Sequence, residues 1–285
     1  MGYNKRVVKN INEAQRSEET TDYKDCTFFI GGNDLEMRAI KELLEQSGIE
    51  AENIVDSNLG WGAKASDYES QIGKALSQGR IPVIIELNED IELPQDKTCI
   101  SVDHHGERSG EPSSILQVCK LLGIEPDRRI ELIAANDTGW IPGLRATEAS
   151  DEEIRNIREE DRRMQGFDAE LESISEKLAN EAEIDEERGL AIAKDLPISK
   201  FAGIKDRIAE RGIYNVICLA SPQGDSQQGE MEFQGDGVIC QELNEKYSGW
   251  SGGEGLGKPG GIAFWGGYPE NPEQVIEDIE TALTE

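Results

Sequence analysis

An α/β protein built on a parallel sheet is what the sequence predicts, because apolar runs that read as buried strands alternate with helical patterns. Three of those runs end in polar residues suited to chemistry: CTFFIGG before Asp34, IPVIIELNED around Glu86, and KTCISVDHHG around His104. In such sheets ligands bind beyond the carboxyl ends of the strands, which is where Asp34, Glu86, His104 and Asp137 are expected.

Between the strands, LEMRAIKELLEQSG follows the first run and SDYESQIGKALSQG precedes the second, each with apolar residues at helical spacing. SSILQVCKLLG follows the third run, and RRIELIAANDTG then carries the chain to Asp137. Ahead of the first strand, residues 1–25 are polar and read as a tail or a short capping helix. From 151 to 185 the composition turns highly charged, with apolar residues at helical intervals, as in an exposed helical linker. Behind it, 186–285 is expected to be α/β again: strands at GLAIAKDL, IYNVICLAS and EMEFQG, and helices at ISKFAGIKDRIAERG, DGVICQELNEKYS and NPEQVIEDIETALTE. The glycine-rich run GWSGGEGLGKPGGIAFWGGY lies just before the last helix.

At 285 residues the chain is long enough for two modest domains, each with its own core. No apolar run approaches the roughly 20 residues that cross a bilayer, and the N-terminus lacks the apolar centre of a secretory signal. A cytoplasmic protein with no membrane partner is expected. The five cysteines are scattered without a CxxC pair, mostly in apolar stretches, so neither a disulfide framework nor a zinc site is indicated. The net charge of −29 repels long polyanions, which makes a long duplex nucleic acid a poor partner. A salty cytoplasm, solubility, or an acidic face for a basic partner would each account for that charge.

The chain has two histidines, and they are adjacent in Asp103-His104-His105-Gly106 at a strand end. Histidine is a frequent neutral metal ligand and acid–base group, and a neighbouring carboxylate fixes its tautomer. Four landmarks stand in order along the chain: Gly32-Asn33-Asp34-Leu35-Glu36 after a strand, Glu86 closing PVIIE, Asp103-His104-His105, and Asp137-Thr138-Gly139. This succession resembles the DHH phosphoesterase superfamily, whose first motif is His-x-Asp-x-Asp and whose last is an aspartate in a DTG-like turn after a helix and a strand. EPSSILQVCKLLG also resembles that family's helix after the third motif.

The resemblance implies a parallel-sheet DHH catalytic domain over 26–150 and a smaller α/β DHHA1-like substrate-binding domain over 186–285. It implies Mn²⁺ or Mg²⁺ as cofactor, up to two ions sharing a carboxylate and activating a water. Carried over residue by residue, one ion would be bound by Glu36, Glu86, His104 and Asp137, and the other by Asp34 and the shared Glu86. His105 would face the scissile phosphate and Asp103 would orient its histidine neighbours. Carboxylates with one imidazole suit Mn²⁺ or Mg²⁺. Two departures bear on this. Gly32 stands where the family has a metal-binding histidine, so the second ion is expected to be weak, and glutamate replaces aspartate at 36 and 86.

Between the first two landmarks, the loop Asn58–Ser66 contains Trp61 and Lys64, a cation and an aromatic face of the kind that covers a nucleotide. In the C-terminal block, Ser251-Gly252-Gly253-Glu254-Gly255 takes the place of the family's GGGH loop without its histidine, and Lys258 is the nearby cation. Successive glycines let backbone N–H groups approach a phosphate closely. The expected partner is a small nucleotide or a short single-stranded oligonucleotide, with a homodimer as a further possibility. The alternative is a degenerate relative that binds a nucleotide or a protein without turnover.

Overall fold

The structure, a computed structural model, describes residues 8–10, 22–60, 62–94, 97–222 and 228–284. Trp61 lies outside the described residues, and so does most of the SPQGDSQQG loop. The chain divides into two compact units, Met1–Asp137 and Thr138–Glu285.

The first unit is built on a five-stranded sheet in the order β1-β5-β4-β2-β3. Its strands are β1 (Val8–Asn10), β2 (Cys26–Ile30), β3 (Ile54–Asp56), β4 (Ile81–Ile85) and β5 (Cys99–Val102), and every pairing is parallel. Parallel strands need helical crossovers that cover both faces, so central strands read as unbroken apolar runs. CTFFI and CISV are buried along their whole length. β1 falls inside the polar N-terminal stretch, where no strand is expected from composition; it adds to the sheet through backbone pairing with β5. The predicted strands at Cys26, Ile81 and Cys99 are all present.

Four helices accompany this sheet: α1 (Leu35–Gln46), α2 (Glu69–Ser77), α3 (Ser114–Leu122) and α4 (Arg128–Ala146). On α1, Leu35, Met37, Ala39, Ile40, Leu43 and Leu44 are buried, the spacing of an amphipathic helix seated on a sheet. α3 ends at Gly123, whose left-handed backbone (φ 69°) supplies the stop that a residue with a side chain adopts poorly. Asp137 lies within α4, where the sequence suggests a turn after a strand. The helix is interrupted three residues later at Trp140, with φ 53° and ψ −145°. The division between the two units falls inside the same helix.

The second unit carries a mixed six-stranded sheet in the order β10-β11-β9-β8-β7-β6. It comprises β6 (Glu183–Asp185), β7 (Leu190–Leu196), β8 (Asn215–Ala220), β9 (Met231–Asp236), β10 (Trp250–Gly252) and β11 (Ile262–Gly267), and only β7–β8 is a parallel pair. Strand alternation divides the apolar residues between two faces. Leu190, Ile192 and Ile217 join one core with α8 (Gly237–Lys246) and α9 (Pro272–Ala282). Ala191, Ala193, Val216 and Cys218 join the other with α7 (Ala202–Ala209). β10 and β11 come from the glycine-rich run.

The charged stretch 151–185 forms α5 (Asp151–Met164), α6 (Ala169–Glu181) and β6. These belong to the second unit, and Arg158, Asp161 and Arg162 on α5 are buried. α5 begins with a reciprocal capping box between Ser150 and Glu153, the local signal that starts a helix in so polar a segment.

Candidate metal centre

The strand order β5-β4-β2 puts three carboxyl-terminal ends side by side, and each delivers one part of the centre. β2 leads through Gly31 and Gly32 into α1, whose first turn carries Glu36. β4 ends at Ile85 and the next residue is Glu86. β5 ends at Val102, followed by Asp103, His104 and His105. α4 supplies Asp137.

Glu36, Glu86, His104 and Asp137 bring their ligand atoms within 4.8 Å of one another. His104 Nε2 is the hub, 2.8 Å from Asp137 Oδ2, 3.2 Å from Glu86 Oε1 and 3.8 Å from Glu36 Oε2. Two further contacts aim the glutamates. Ile115 N–H at the start of α3 donates to Glu36 Oε1 at 3.0 Å, and the Ser114 hydroxyl donates to Glu86 Oε1 at 2.8 Å. The other oxygen of Glu36 is buried and has no hydrogen-bond partner. Glu36 and His104 are 2 % and 1 % exposed, so water does not neutralise this charge.

The electrostatics are those of crowded carboxylates around one imidazole. Burial, reinforced by the charges of Asp137 and Glu86, holds the Glu36 carboxyl well above the ordinary range. Burial also raises Asp137. For Glu86 burial acts in the same direction, but His104 and His105 outweigh it and lower its pKa. Burial disfavours charge on His104, yet Asp137 and Glu86 prevail and push it up to about 12. Three acids facing one imidazole, with a buried carboxylate oxygen left over, make a donor set that fits a hard divalent cation.

Glu86 has φ 51°, a left-handed backbone that costs a residue with a side chain. Its neighbour across the sheet, Gly31, is fixed as glycine by close approach: a Cβ there would sit 2.3 Å from Glu86 O. His105 is half exposed, and Asp103 Oδ1 accepts from its backbone N–H at 2.9 Å and lies 3.0 Å from its Nδ1. That bond is the main cause of a raised His105 pKa.

The other expected site residues are placed differently. Asp34 belongs to neither cluster of metal-binding type among the described residues; its Oδ1 accepts from Met37 N–H at 2.9 Å and caps α1. Lys64 is exposed on a loop whose backbone bridges to Asn88, and Ser66, two residues on, is bound by both oxygens of Asp90. At Gly252, Gly253 and Gly255 of the glycine-rich run, the space a side chain would need is filled by the unit itself. A Cβ at Gly252 would lie 2.8 Å from the Phe264 ring, one at Gly253 3.1 Å from Ala263 Cα, and one at Gly255 2.3 Å from Ile262 N. Lys258 is exposed in the same loop. Ser114, the Ile115 N–H and Gly31 support the centre without being legible as such in the sequence; for Ser114 and Ile115 the only sign is the resemblance of EPSSILQV to a family helix.

No family model matches the sequence, and no curated protein matches it. Among solved structures, an exopolyphosphatase-related protein from Bacteroides fragilis superposes with a TM-score of 0.53 at 11 % identity, covering 96 % of this chain and 95 % of that one. RecJ from Thermus thermophilus, solved in complex with Mn²⁺, gives 0.39 at 12 % identity over 96 % of this chain; this chain spans about half of RecJ, 53 %. The fold of this chain is thus that of the exopolyphosphatase-related protein, with the two α/β parts expected from the sequence.

Proposed function

We propose that this protein is a divalent-metal-dependent phosphoesterase whose metal, Mn²⁺ or Mg²⁺, is held by Glu36, Glu86, His104 and Asp137. The observation that carries the reading is the convergence of three carboxylates on His104 Nε2, with Glu36 Oε2 buried and unpartnered. A cation bound there would activate a water and stabilise charge on a phosphoryl group. The fold shared with an exopolyphosphatase-related protein is in keeping with phosphate-ester or phosphoanhydride chemistry.

The chain's own residues have distinct parts in that reading. Ser114 and the Ile115 N–H orient Glu86 and Glu36. Asp103 fixes the His105 ring through Nδ1, which leaves Nε2 for an oxygen of the scissile phosphate. The substrate is a small nucleotide: a short single-stranded oligonucleotide, a cyclic dinucleotide or a mononucleotide. The net charge of −29 favours such short anions over polymers. Within the first unit Lys64, and within the second Lys258, are each proposed as a cation for a phosphate group.

A second reading, a relative that binds a nucleotide or protein without turnover, is favoured by Gly32 and by Asp34 serving as a helix cap. A panel of nucleotides and bis-p-nitrophenyl phosphate, assayed with Mn²⁺, with Mg²⁺ and without metal, separates the two. Metal-dependent release of phosphate or nucleotide is expected. Mn²⁺ binding with no turnover of any substrate would establish the binder.

A further inference from the structure

The segment that presents Glu86 is strained and unusually well tied down. Glu86 adopts φ 51°, and backbone strain of this kind persists only where its surroundings over-determine it. Its N–H donates to Val102 O at 2.9 Å, and Gly31 packs against its carbonyl. Two residues on, Asn88 exchanges backbone hydrogen bonds with Ala63 and Ala65 at 3.0 and 2.9 Å. Asp90 accepts from both the N–H and the hydroxyl of Ser66.

The residue between them, Glu89, faces the histidine loop. Arg108 Nη2 donates to Glu89 Oε1 at 2.6 Å, while Nη1 of the same guanidinium donates to the hydroxyl of buried Ser101 at 2.7 Å. Arg108 N–H also donates to His105 O at 3.0 Å, closing the turn that begins at Gly106, itself left-handed at φ 58°. One residue thus joins three points: strand β5 two residues before Asp103, the turn after His105, and the loop three residues after Glu86. A guanidinium fork makes the two side-chain links where a single ammonium point charge does not.

We propose that Arg108 is a positioning residue of the metal centre. By tying the histidine loop to the loop after β4, it keeps the strained Glu86 carboxylate in register with His104. The inference rests on the metal-centre reading above, but its first consequence needs no metal. Hydrogen exchange on the metal-free full chain should show the Glu86 and His105 amides opening at least about tenfold faster in Arg108→Ala, with the amides of β2 unchanged. Glu89→Gln should do the same more weakly, and Arg108→Lys should fall between.

In calorimetry, Arg108→Ala should weaken Mn²⁺ binding about tenfold, the size found when an outer partner of a ligand is lost. Unchanged exchange at both amides in the folded variant would overturn the proposal. So would unchanged Mn²⁺ affinity with a raised KM for bis-p-nitrophenyl phosphate, since Arg108 would then be contacting substrate. If the natural protein binds no Mn²⁺, the metal reading fails while the exchange data still decide whether Arg108 holds these loops.

Discussion

Trp140 Nε1 donates to Asp206 Oδ1 at 2.7 Å, joining the residue that breaks α4 to a carboxylate with no solvent exposure. Asp206 also accepts from Arg158 Nε at 3.1 Å and from Arg162 Nη1 at 2.6 Å. The φ of 53° at Trp140 is one that a bulky residue adopts only under constraint. Indole burial and this bond are the constraint.

Removing that acceptor charge should be costly. Asp206→Asn leaves Arg158 and Arg162 without their shared buried counter-ion, and a loss of about 3–5 kcal/mol is expected. The effect should depend on pH with a definite sign. Burial alone would raise the Asp206 pKa, but Arg158 and Arg162 overcome it and hold it below the ordinary value. A depressed folded pKa means the stabilisation is complete above the unfolded value of about 3.9 and is lost as pH falls through the folded one. Denaturant titrations should therefore show a gap between natural protein and variant that is full near neutrality and shrinks in acid. A gap independent of pH would contradict the network.

Metal binding should fail when a ligand is lost. His104→Ala and Asp137→Ala should each remove Mn²⁺ binding in calorimetry and abolish hydrolysis, since each deletes one of the four converging groups. The loss should exceed the roughly 10- to 100-fold typical of an outer-sphere change. Full activity in either folded variant would refute the centre.

A second ion should bind weakly. Gly32 offers no ligand, and one oxygen of Asp34 is committed to the Met37 N–H. Gly32→His should tighten that ion only if Met37 turns aside, because a Cβ at 32 would lie 2.9 Å from Met37 Cγ. Two equally tight Mn²⁺ ions in the natural protein would show that other groups complete the second site.

The glycine loop can be tested without straining it. Lys258→Ala should raise KM for a nucleotide about tenfold, the worth of one charge-assisted contact of roughly 1.5 kcal/mol, and leave the melting temperature unchanged. Gly255→Ala should instead lower the melting temperature, because its Cβ would meet the backbone of Ile262 at 2.3 Å. If Lys258→Ala leaves KM for every nucleotide unaltered, the loop's glycines serve packing alone.

Much of the fold was legible because it is written locally. CTFFI, IPVII and CISV are apolar runs of strand length, and each became a strand of the first sheet. Helices such as Leu35–Gln46 followed from spacing, and the apolar residues at helical intervals from 151 on marked α5 as helical. β1 and β3 were not legible: each has three residues, too few for a period, and exists through pairing with β5 and β2. The interior of α5 was obscured for another reason. Arginine and aspartate read as exposed, and only their mutual pairing with Asp206 makes burial tolerable.

The sequence by itself determined that an Asp-His-His motif stands at a strand end, with acids near the ends of neighbouring strands. That information is one-dimensional and depends on composition and periodicity. Which acids meet was decided only in three dimensions. Asp34 and Glu36 are two residues apart, yet Asp34 turns to the helix N-terminus and Glu36 points inward to His104. Likewise the glycines of 252–255 were legible as a run, while only the tertiary structure shows that Phe264, Ala263 and Ile262 occupy the space their side chains would need. The reason is the same in both places: a residue's type fixes what it can bind, and its neighbours across the sheet fix what it does bind.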